Sequence, residues 1–243
     1  MSVFADRVPG SRELFWAHPE WWVVGLGLAA WLPVVQHGIT RSGSAHADHL
    51  SFAAELGYWH AMVLAMMLPI IATKARDVAI RSFAERRHRA IGLFLIGYLV
   101  PWSALGTLAA AARTLAGTPW THSQWPTVAA FAAATIWALL PVRERAMVMS
   151  YGHEPVIAPA GWDADRDCVK AGLAIGSWCF VSCWALMLAC VVSGHHLVAV
   201  VIGAAIGLVE GASFRPPSTF VRTASLALTV FFAVPSAGRL FTR

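Results

Sequence analysis

Seven apolar runs, each 16 to 25 residues long and separated by short polar stretches, occupy most of this chain: 21–36, 52–73, 90–112, 125–142, 169–193, 196–212 and 219–235. A helix rises about 1.5 Å per residue, so roughly 20 apolar residues cross a hydrocarbon core about 30 Å thick. The runs therefore predict an all-α, polytopic transmembrane helix bundle of about seven spans. Six is the alternative, because the first and sixth runs are short for a full crossing. Only 13% of residues are charged, about half the share of an ordinary soluble domain. The longest polar connection, residues 143–167, leaves no room for a soluble domain, so residues 1–243 read as a single integral membrane domain. The segment from Met1 to Pro19 mixes charges with single apolar residues. It lacks the apolar centre of a secretory signal, and the first run is expected to be retained.

The net charge of +5 would raise nucleic acid as a partner in a soluble protein; in a bundle it is topological. With the N-terminus inside, fourteen of the eighteen Lys and Arg fall on the cytoplasmic side, leaving only Arg41, Arg113, Arg239 and Arg243 outside. That is the bias of the positive-inside rule. Residues 143–168 then form a cytoplasmic loop, and residues 37–51 a His-bearing extracytoplasmic loop. The partners expected are membrane lipids and other membrane-protein subunits, with no role for nucleic acid.

Orientation set by Lys and Arg alone sorts the histidines. His37, His46, His49, His60, His122, His195 and His196 fall outside, and only His18, His88 and His153 inside. The sequence His46-Ala47-Asp48-His49 puts two imidazoles and a carboxylate within four residues, with Glu55 and His60 following. Such groups suit copper, zinc or iron. If residues 50–60 are continuous helix, His49 and His60 share a face about 16 Å apart, too far for one ion. A shared site would need the loop to fold back, or His195 and His196 from another connection. The competing reading is a solvated loop at a wet interface.

A second cluster follows in the fifth run. At 100° per residue, Cys168, Cys179, Cys183 and Cys190 share one narrow arc, and Cys179, Cys183 and Met187 follow each other at i, i+4. Soft sulfur ligands one turn apart suit Cu(I). Gly172 and Gly176 lie on the same arc, and the small-xxx-small spacing equally describes close helix packing. Consecutive turns of one helix place cysteines poorly for disulfides. In the second run Met62, Met66 and Met67 precede Pro69; on their own these methionines read as adaptable core filler. Pro33 and Pro101 predict kinks. Glu55 is expected near the outer interface, and Glu210 is expected to pair with Arg215 or a basic group of the second inner loop.

The combination of Trp59, Met62 and Ala65-Met66-Met67-Leu68-Pro69 with Gly172, Gly176, Cys179, Cys183, Trp184, Met187, Gly194 and Glu210 resembles a bacterial family described as predicted metal-binding integral membrane proteins. The resemblance spans the second to sixth runs and implies a multi-pass protein of the bacterial cytoplasmic (inner) membrane. The family pattern carries a second cysteine before the tryptophan, a methionine after the glycine and a lysine after the acid. This chain has Ser182, His195 and Gly211 there.

The leading expectation is a membrane protein binding a transition metal, copper first, through His46, Asp48, His49, His60, His195 and His196 at the extracytoplasmic face, with Cys179, Cys183 and Met187 as an inner stripe. The alternative is a non-catalytic accessory or scaffold subunit of a larger membrane enzyme, such as a copper monooxygenase or respiratory complex. No nucleophile elbow, phosphate loop, dinucleotide fingerprint or His-Glu-x-x-His helix occurs. The sidedness is testable in a chain whose four cysteines are replaced by serine. Ala47→Cys should react with an impermeant maleimide on intact cells, and Ala84→Cys only after permeabilisation; the reverse pattern would invert the topology.

Overall fold

The computed structural model describes residues 18–43, 51–116, 125–152, 154–194, 196–212 and 218–233. They form helices α1 (Trp21–Gly43), α2 (Phe52–Ile80), α3 (Arg87–Ala116), α4 (Trp125–Leu139), α5 (Pro141–Gly152), α6 (Gly161–Val192), α7 (Leu197–Ala212) and α8 (Ser218–Ala233), with a 3-10 turn at Ala84–Arg86. Among the described residues there is no strand. The all-α expectation holds. Each of the seven apolar runs is helical, but they are not equivalent.

Four stretches are long and apolar enough to cross a membrane: Trp21–Thr40, Phe52–Ile80, Ala84–Leu115 and Gly161–Val192. The first run, short in sequence, is among them because its helix continues to Gly43. The fourth run is broken: α4 and α5 meet at 70°, and the pair counts as a fifth crossing only if taken as one bent span. The cause is Pro141, which opens α5, lacks an N–H and disfavours helical geometry at Leu140 before it. Residues 143–152, read from sequence as polar connection, are therefore helical and part of the bent pair. At 16 residues, α7 reaches about 24 Å, less than a hydrocarbon core.

Helix α2 lies at the centre. Ser51 caps it, its Oγ accepting from Ala54 N at 3.3 Å, and Trp59, Met62, Val63, Met66 and Leu68 are all at most 2% exposed. It is apolar around its circumference because α1, α3 and α7 cover different sides. Leucines at the outer surface of α1, Leu26, Leu28 and Leu32, stay exposed and suit an apolar surrounding.

The most extensive helix contact joins α3 to α6, which run parallel and in register. A Cβ at Gly97 would land on the Val169 carbonyl, one at Gly172 on the Phe94 carbonyl, and one at Gly176 on the Tyr98 backbone. Only glycines permit this approach. The same register is pinned at both ends of the pair. At one end Arg86 and Arg89 hold Asp165, the latter at 2.5 Å; at the other Arg113 donates to the Val191 carbonyl at 2.8 Å. A second parallel contact joins α2 to α7, where Gly203 faces Met66 and Gly207 and Gly211 face Ile70. The left-handed Gly194 (φ 69°) closes the turn after α6, with its N–H on the Val191 carbonyl at 2.9 Å.

The glycine contact predicts a graded response. Gly172→Ala should cost more than about 3 kcal/mol or prevent accumulation, because the obstruction is backbone. Gly92→Ala, with open space at its Cβ, should stay within about 1 kcal/mol of wild type. Thermal unfolding followed by tryptophan fluorescence in detergent separates them, and equal stability of both variants would contradict the packing.

Candidate metal centre

The α6 stripe does two jobs at successive depths. Its glycines pack against α3, and one turn further on Tyr98 of α3 donates its hydroxyl to Cys179 Sγ at 3.1 Å. Opposite, Met67 Sδ of α2 lies 3.9 Å from the same sulfur. The next turn carries Cys183, whose Sγ is 3.3 Å from Ser182 Oγ. Beyond it is Met187, fully buried. The glycines of the stripe thus make the close backbone contacts, and its sulfurs lie one and more turns further along the same helix.

Between α2, α4, α6 and α7 lies a cavity of ≈ 20 Å³ lined by Met66, Met67, Cys183 and Met187, by the apolar Ala134, Trp137, Ala138, Leu186 and Ile206, by Gly203 and Gly207, and by the polar Ser182, Arg143 and Glu210. On this measure about 10–15 Å³ suffices for one water, so the space suits a single ion rather than an organic molecule. It exists because α7 presents glycine on the facing side: Gly203 lies against Met66, Leu186 and Cys190. The Gly203, Gly207, Gly211 repeat is the sequence signal of this close approach. Met66 and Met67 are buried in the core, as the filler reading has it, and also line this cavity. They reach the stripe because α2 is central and its methionine turn sits at the depth of Cys179.

An ion pair closes one end of the cavity. The bend at Leu140 and Pro141 turns α5 inward, and Arg143 donates from one terminal nitrogen to both Glu210 oxygens, at 2.5 and 2.7 Å. Its Nε donates to the Ser182 carbonyl at 3.1 Å. The side chains are 11% and 4% exposed; removing either partner would leave the other charge buried without compensation. Glu210 therefore does meet a basic group of the second inner loop. Arg215 lies outside the described residues.

The imidazole set divides differently. His46, Asp48, His49 and His195 lie outside the described residues. His60 sits between α2 and α3, its Nδ1 2.8 Å from the Leu56 carbonyl and its Nε2 3.0 Å from Ser103 Oγ. An Nδ1–H donating to the carbonyl leaves Nε2 to accept from the hydroxyl, so both ring nitrogens are engaged. His196 is half-buried. Its ring meets Phe231 at 6.5 Å. Nearby, His37 lies tilted against Tyr58 with ring centroids 4.1 Å apart, and Gly38 abuts Leu197. Among the described residues, no three His, Cys, Asp or Glu side chains form a metal-holding group; the sulfur cluster depends on methionine.

The described histidines divide between the two ends of the bundle. His37, His60 and His196 lie at the end where Glu55 pairs with Arg113 at 3.3 Å. His18, His88 and the Arg86–Asp165 pair lie at the other. Glu55, in the first turn of α2, is 6% exposed, covered by α3 and by Trp59, whose ring fills the space left by Gly106. Met67 is about 18 Å from Glu55 along α2. One ion cannot serve both the His-bearing end and the sulfur cavity.

A family model described as "Copper chaperone" (PpoB2) matches residues 56–234. No curated protein matches, and no solved structure does. The matched range contains both sulfur-bearing helices and the Arg143–Glu210 pair.

Proposed function

The chain belongs to this copper chaperone family, and we propose that it is a multi-pass membrane protein that takes Cu(I) as cargo at the sulfur cavity between α2 and α6. The observation that carries the reading is the convergence of Met66, Met67, Cys183 and Met187 on one ion-sized space, with Cys179 beside Met67. Thiolate and thioether donors select Cu(I) over harder ions. Binding exchanges the thiol proton for the metal, so each cysteine that ligates releases one proton.

In this reading the chain sits in a bacterial cytoplasmic membrane with its N-terminus inside and its short helices completing up to seven passes. The fourteen cytoplasmic Lys and Arg and the clustering of His37, His60 and His196 at one end support it. His46, Asp48, His49, His195 and His196 then act at the extracytoplasmic mouth as receiving groups. Cys179, Cys183 and Met187 are the holding groups within, joined by Met66 and Met67. Receiving and holding are separate steps, because the two ends of the path are more than an ion's coordination radius apart.

Titration of the detergent-purified, reduced protein with Cu(I) against a chromophoric chelator tests this. Wild type should hold one tightly bound Cu(I). The Cys179→Ser/Cys183→Ser pair should lose more than the roughly 10–100-fold in affinity that loss of an outer-shell partner costs. A His46→Ala/Asp48→Ala/His49→Ala/His60→Ala variant should keep the tight site. Full affinity in the cysteine variant, with loss in the histidine variant, would move the holding site to the mouth.

A further inference from the structure

The Arg143–Glu210 pair lies in the wall of the same cavity as the sulfurs. A helix clamp alone does not call for that position. The other ion pairs that join elements among the described residues lie nearer the bundle ends: Arg86 and Arg89 with Asp165, Arg81 with Glu154, Arg76 with Glu20, and Glu55 with Arg113. Only Arg143 is brought inward by a 70° bend, and it then uses two nitrogens to hold α6 through the Ser182 carbonyl and α7 through Glu210. The Ser182 carbonyl belongs to the residue preceding Cys183. A permanent cation is therefore fixed one residue from a thiol ligand, with a carboxylate set against it.

Resting on the copper reading above, we propose that Arg143 and Glu210 form the electrostatic selector of the cavity: Glu210 cancels the guanidinium so that a monovalent cation is not repelled, and the balance between the two charges sets Cu(I) affinity. An arginine remains charged at any working pH. In a poorly solvated interior a unit charge a few ångströms from a bound ion changes its binding constant by more than tenfold. Loss of the carboxylate should thus weaken Cu(I) binding even though no ligand is touched. Loss of both members removes the repulsion together with its cancellation. A buried pair that only clamps the helices is also damaged more by loss of one member than of both, so folding separates the two roles: the selector changes Cu(I) affinity while the unfolding transition stays in place, whereas a clamp moves both together.

The test uses the full-length protein in detergent, with Cu(I) affinity read by chelator competition and folding by thermal unfolding. Glu210→Gln should bind Cu(I) at least about tenfold more weakly than wild type. The Arg143→Gln/Glu210→Gln double variant should return to within about threefold of wild type, a non-additivity expected of coupled neighbours. Arg143→Gln alone should be no weaker than wild type, and Ag(I) should follow the same order. A double variant as weak as Glu210→Gln would overturn the selector, as would three variants that bind like wild type; both results leave the sulfur site standing. A wild-type protein that binds no Cu(I) would remove the site and the selector together.

Discussion

The backbones of α3 and α6 touch at Gly97, Gly172 and Gly176, and the register of the α6 face that carries Cys179, Cys183 and Met187 follows from that contact. Parallel helices locked this closely have one register, which sets Tyr98 against Cys179 and Arg113 against the Val191 carbonyl. Packing between apolar helices has no directional preference of its own; small residues that let backbones meet supply it. The α2–α7 contact repeats the device at Gly203, Gly207 and Gly211. There the missing side chains leave room on the far side of Met66 as well.

Buried charge is the second constraint, and the fold meets it by pairing. Glu55, Asp165 and Glu210 are each nearly enclosed, and each faces an arginine from another helix. Burial of this kind adds little stability by itself, but an unpaired member would be costly. The pairs therefore work as register marks. The Arg143–Glu210 pair differs in also fronting the ion-sized space, which is why the bend between α4 and α5 matters to the proposed chemistry as well as to the packing.

Much of this was legible in the sequence, and the misses have identifiable causes. The apolar runs gave the helices because backbone satisfaction leaves few options for such segments. The arc of Cys179, Cys183 and Met187 followed from helical periodicity. Span lengths were less legible: the run at 21–36 continues as helix through Arg41 to Gly43, and the run at 125–142 breaks at Pro141. Periodicity could not place Met66 and Met67 beside the cavity, since that depends on which helix lies opposite. The same holds for His60, whose two nitrogens are engaged by Leu56 and Ser103. The partner of Glu210 was narrowed to a class of residue, and only the bend identified Arg143.

The central claim is that copper is held by sulfur midway through the bundle, far from the histidine-bearing end. Copper K-edge absorption spectroscopy of protein loaded with one equivalent of Cu(I) addresses it directly. The account predicts a first coordination shell of sulfur alone and an edge typical of monovalent copper. A shell of nitrogen or oxygen with imidazole multiple scattering would contradict it.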